Sequence, residues 1–125
     1  MSKQNIHIAM GSLAYAIAKA DGVIQLEEII IIKKLALEEF EVEDVDSEWI
    51  EKMFKKLERD NITIEDAYNY ALDTLEANRF DFDFDLVMKN KCIKFMNRIA
   101  DAFADTSMAE QAIIQKFNKD ISRFF

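Results

Sequence analysis

The chain is 125 residues long and half apolar, with no proline, two glycines, one cysteine and a formal charge of −8. That length suits a single domain with one real core, and so few turn residues exclude a strand-rich fold in favour of an all-α one. The negative charge excludes a nucleic-acid surface and opposes docking on an anionic membrane, leaving cations, basic partners or plain solubility.

The start of the chain, Met1 to Asn5, has no signal-peptide pattern, and no segment approaches the roughly 18 uninterrupted apolar residues of a spanning helix, so a cytoplasmic location is expected. From Ile6 to Ala20, Ile6, Met10, Leu13 and Ile17 recur at helical spacing with alanines between them. Small residues allow close helix approach, and Gly11 marks such a contact. His7, the lone histidine, is expected at the helix end or on the surface. Leu26 to Phe40 forms a second helix despite the strand-favouring run Ile29 to Ile32, because Glu27 and Glu28 precede that run and Lys33 and Lys34 follow it, as a helix dipole prefers.

Residues 41 to 46 form an acidic connector, expected to be a solvated loop that caps the next helix. From Ser47 to Asp60, Trp49, Ile50, Met53, Phe54 and Leu57 make a core stripe, with Lys52, Lys55, Lys56 and Arg59 on the solvent side. Thr63-Ile64-Glu65-Asp66 is a capping box opening a fourth helix to about Asn78. Phe80 to Asp85 alternates with period two, but a strand without a partner leaves its backbone unsatisfied. An extended connector is therefore expected, its phenylalanines pinned to the core and its aspartates at the next helix start. From about Leu86 to Ala104 a stripe of Met88, Cys92, Phe95, Met96, Ile99 and Phe103 predicts a fifth helix with Cys92 packed as an apolar residue. Ser107 to Glu110 is a second capping box, and the sixth helix buries Ile113, Ile114, Phe117 and Ile121.

One stretch asks for more than folding. Ala20-Asp21-Gly22, followed by Ile24 and Glu28, matches the closing half of a calcium loop. The first two ligand positions fall on Ile17 and Lys19, which cannot supply oxygen, so a standard EF-hand is excluded. Ala20, Asp21, Gly22, Ile24 and Glu28 resemble the signature of the TerB-like family. That resemblance implies a small, all-helical bacterial cytoplasmic domain, associated with tellurite resistance and related stress responses, whose clustered acidic surface is proposed to hold metal.

Displacing the chain on itself by 82 positions aligns Ile17–Lys34 with Ile99–Lys116, with seven of eighteen residues identical and Glu28 in register with Glu110. The expectation is a compact bundle of about six helices containing two related helical hairpins. In the second copy Phe103-Ala104 replace Asp21-Gly22, flanked by Asp101 and Asp105. If the hairpins meet loop to loop, Asp21, Glu27, Glu28, Asp101, Asp105 and Glu110 make one acidic pocket. All its donors are oxygens, so calcium or magnesium is expected before zinc.

Glu28 and Glu110 also have a plain capping role open to them. Glu110 has Ser107 in the capping position, whereas Glu28 has only Gln25, a poor cap. Enzymatic chemistry finds no nucleophile and base pair, no phosphate-cradling glycine loop and no Glu-x-x-His repeat. The function expected is therefore non-catalytic: a domain binding a divalent cation in a stress response, or else a protein-interaction module with an acidic docking face.

Overall fold

The computed structural model describes residues 2–20, 22, 24–40, 44–80, 84–102 and 108–124. Its described elements are all helical: α1 (Ser2–Ala20), α2 (Leu26–Phe40), α3 (Asp44–Arg59), α4 (Ile64–Ala77), α5 (Leu86–Ala102) and α6 (Met108–Ile121), closed by a 3₁₀ turn at Ser122–Phe124. No strand occurs among the described residues. No helix among them is long and apolar enough to cross a membrane.

The bundle is organised around α1. Ile6, Met10, Leu13 and Ile17 are fully buried, and so are the alanines and Tyr15 between them. A helix apolar on every side is stable only when surrounded, and α1 packs most extensively on α3 and α4, with smaller contacts to α5 and α6. His7 is buried too, edge-on to Phe40 with ring centroids 5.4 Å apart, so the surface position expected for it is wrong. It lies one turn inside a helix that is buried over most of its circumference.

Gly11 is a close-approach position, as its sequence context implies. A Cβ built on it would lie 2.5 Å from the Ile50 carbonyl oxygen and 3.0 Å from Met53 Cβ. On the α4 side two hydroxyls fasten α1 to backbone: Ser12 Oγ donates to the Ala67 carbonyl at 2.7 Å and Tyr15 Oη to the Ile62 carbonyl at 2.6 Å. The peripheral helix α2 packs on α5 and α3. There the buried Glu39 carboxylate accepts from Arg98 at 2.7 Å, and Glu38 shares the same guanidinium, which these two partners hold firmly in its charged form.

Local signals act where the sequence places them. α2 spans the expected residues with Glu27 and Glu28 in its first turn, but Lys33 and Lys34 fall at mid-helix and its last turn holds no basic residue. Thr63 caps α4, accepting from the Asp66 N–H at 3.1 Å, and Asp85 caps α5, accepting from the Met88 N–H at 2.8 Å. The helix after the acidic connector starts earlier than expected, at Asp44. Phe84 is in the core, whereas Phe80 is exposed beneath the Arg79 guanidinium, so only one of the described phenylalanines pins the connector. The internal likeness of the two hairpin segments does not extend to like packing. α5 and α6 pack on each other, while the main partners of α1 are α3 and α4.

Candidate functional site

The turn after α1 is made by Gly22. Its φ of +103° is open to glycine and strained for an L-residue, and its N–H donates to the Lys19 carbonyl at 2.9 Å, closing the helix. Gln25 then takes the capping position of α2, its carbonyl accepting the Glu28 N–H at 3.1 Å. Glu28 completes the turn from the other side, one carboxylate oxygen accepting the Gln25 N–H at 2.6 Å. This is the glutamate half of a capping box working without a serine or threonine.

The predicted carboxylates are thus in different environments. Glu27 is exposed in the first turn of α2, and Glu28 is half-buried and engaged with its own helix start. Asp101 is exposed, one residue from the end of α5. Glu110 is fully buried in the first turn of α6, the same helical position that Glu28 holds in α2. Asp21 and Asp105 lie outside the described residues, as does Ser107. Among the described residues no group of three or more His, Cys, Asp or Glu side chains is arranged to hold a metal ion. Glu27, Glu28, Asp101 and Glu110 therefore do not suffice by themselves. An all-oxygen donor set fits a hard cation, and the residue that would complete it at the α1–α2 turn is Asp21.

Cys92 is fully buried, and burial pushes its thiol well above the ordinary range. The packing role expected of it holds, and a reactive thiolate is disfavoured.

A second feature is built from other residues. Between α3 and α4, over the outer face of α1, is an open cavity of about 480 Å³ whose apolar lining includes Ile8, Trp49, Met53, Leu57, Ile62 and Tyr70. None of the described carboxylates Glu27, Glu28, Asp101 and Glu110 lines it. α3 ends there with Asn61 in the left-handed region at φ 50°, the Asn61 N–H donating to the Glu58 carbonyl and the Ile62 N–H to the Leu57 carbonyl, each at 3.1 Å. That paired closure turns Ile62 back onto the last turn of its helix. Sequence periodicity assigns Trp49 and Met53 to the core stripe, yet both remain half-buried. The available signal was the amphipathic pair Trp49 and Tyr70, each an apolar body with a polar tip.

Fold and turn together define a small all-helical domain with carboxylates at its helix starts. Comparison of the chain with protein-family models, with curated proteins and with solved structures finds no match in any of the three.

Proposed function

We propose that this chain is a non-catalytic, TerB-like helical domain that binds a divalent cation, calcium or magnesium, at the α1–α2 turn, with Asp21, Glu27 and Glu28 as donors. The observation that carries this reading is the turn itself. A left-handed Gly22 closes α1 and Glu28 folds back over the start of α2, which is the local geometry that the Ala-Asp-Gly motif and its following glutamate require. Asp101, Asp105 and Glu110 belong to the corresponding segment and are secondary candidates. A cytoplasmic, stress-linked role comes from the resemblance to the family.

The test is thermal unfolding of protein stripped of divalent ions, with calcium, magnesium, manganese or zinc added back. An ion that binds only the folded chain must raise the midpoint. A saturable rise that Asp21→Asn abolishes is the expected result, and no rise up to millimolar ion would sink the proposal.

The rival reading is a protein-interaction module with an acidic docking face. It is favoured by Glu28 already being engaged in capping and by the exposure of Glu27 and Asp101. Under that reading Glu27→Gln and Asp101→Asn weaken binding of a basic partner and no ion shifts the midpoint.

A further inference from the structure

The cavity between α3 and α4 has a rigid frame. α1 sets the separation of its walls, because Gly11 meets the α3 backbone at Ile50 while Ser12 holds the Ala67 carbonyl of α4 and Tyr15 the Ile62 carbonyl where α3 passes into α4. Both walls are thus tied to α1 through backbone atoms. A preformed apolar cleft of about 480 Å³ lies within the range that small ligands occupy, about 300–1,000 Å³.

Four charged side chains stand on its rim, Lys52, Lys56, Asp60 and Asp66. Both carboxylates are compensated: Asp60 faces the Arg59 guanidinium at 3.4 Å, and Asp66 lies in the first turn of α4, at the positive end of the helix dipole. Lys52 is 3.4 Å from Glu48 and its ammonium stands over the Trp49 ring, 5.1 Å from the centroid. Among the described residues Lys56 forms no ion pair. One turn of α3 separates it from Lys52, so the lip carries one compensated and one uncompensated ammonium beside an apolar trough.

We propose that this groove binds a small amphipathic anion, an unbranched apolar chain ending in a single carboxylate. The chain lies on Ile8, Met53, Leu57 and Ile62, and the carboxylate meets Lys56 with Lys52 beside it. An uncharged apolar molecule would leave Lys56 without a counter-charge. A cationic one would be repelled from that lip.

Trp49, the chain's single tryptophan, lines the groove and reports on it directly. Decanoate is titrated into the full chain, at concentrations below those at which it forms micelles, and Trp49 emission is followed alongside calorimetric stoichiometry. The expected result is a saturable emission change with one decanoate per chain. Lys56→Glu, at an exposed position, should weaken it roughly three- to ten-fold, and decanol should bind weaker than decanoate by a similar factor. Met53→Lys should abolish the response, with circular dichroism confirming that each variant is folded. The proposal is overturned by an emission change that does not saturate, by no change at all, or by equal affinities for decanoate and decanol. Binding of decanoate that Lys56→Glu leaves unaltered overturns it as well.

Discussion

Gly11 of α1 and Ile50 of α3 meet through backbone: a Cβ on Gly11 would stand 2.5 Å from the Ile50 carbonyl oxygen. A helix interior normally gains about 1 kcal/mol when glycine becomes alanine. Here the obstructing atom belongs to a helix backbone and cannot swing aside, so overpacking of about 1–3 kcal/mol opposes that gain. Gly11→Ala is expected to destabilise the chain, with the urea midpoint lowered and the slope unchanged. A stabilised variant would show that the two helices do not cross there.

Gly22 tests the opposite case. Nothing lies within 4 Å of a Cβ placed on it, but its φ is +103°. Gly22→Ala should therefore cost about 1–2 kcal/mol through backbone strain alone. Gly22→Asn should cost less, because asparagine visits left-handed conformations more readily. Equal stability of all three proteins in chemical unfolding would contradict the turn described.

Capping and cation binding by Glu28 separate by substitution. Glu28→Gln keeps an oxygen to accept the Gln25 N–H, whereas Glu28→Ala removes it at a cost of about 1 kcal/mol. In ion-free buffer the glutamine variant should unfold close to the parent midpoint and the alanine variant lower. On adding calcium or magnesium, only the parent should rise. A rise in the glutamine variant as large as the parent's would remove Glu28 from the site.

Glu51 contributes a small, acid-sensitive part of the stability. Its hydrogen bond to Lys55, with the charges of Lys55 and Lys33, holds its carboxyl below the usual range against a smaller opposing effect of burial. A depressed folded value means that the stabilisation is fully present above the unfolded value of about 4.3 and is lost as pH falls through the folded one. Both lysines are more than half exposed, so the contribution stays below about 1 kcal/mol. The stability difference between parent and Glu51→Gln should be constant near neutrality and shrink below about pH 4. A difference independent of pH down to acid unfolding would rule the ion pairs out as its source.

Cys92 is enclosed by the core, and its thiol is raised by burial. In native buffer it should react with a thiol reagent only as fast as the chain opens, and at the free-thiol rate once unfolded by urea. Cys92→Ser, which buries a hydroxyl in place of the thiol, should destabilise by about 1–3 kcal/mol, and Cys92→Ala should cost less. Fast labelling of the folded protein would mean that the α5 stripe does not face inward.

The features legible in the sequence were those decided within a few residues. The start of α2 follows from Glu27 and Glu28 ahead of the run Ile29 to Ile32, the start of α4 from Thr63 and Asp66, and the inward face of α5 from a stripe that includes Cys92 and Phe95. Gly22 at a positive φ belongs to the same class, because only the local chain has to turn there. The capping contact of Glu28 is equally local, yet Gln25 obscured it: the motif is usually read from its serine or threonine, and here the glutamate half acts alone.

By itself, then, the sequence determined the all-helical class, the capped starts of α2, α4 and α5 and most of the faces that turn inward, since hydrogen bonding and periodicity act along the chain. Which helix stands at the centre was decided only in three dimensions. Phe40 of α2 lies against His7, which is enclosed at a position that reads as a helix end, and once α3 and α4 both pack on α1, Ile8, Trp49 and Tyr70 are left around an open groove. Burial and concavity are properties of how several helices divide the space around one of them. No single helix's pattern of apolar residues contains that division.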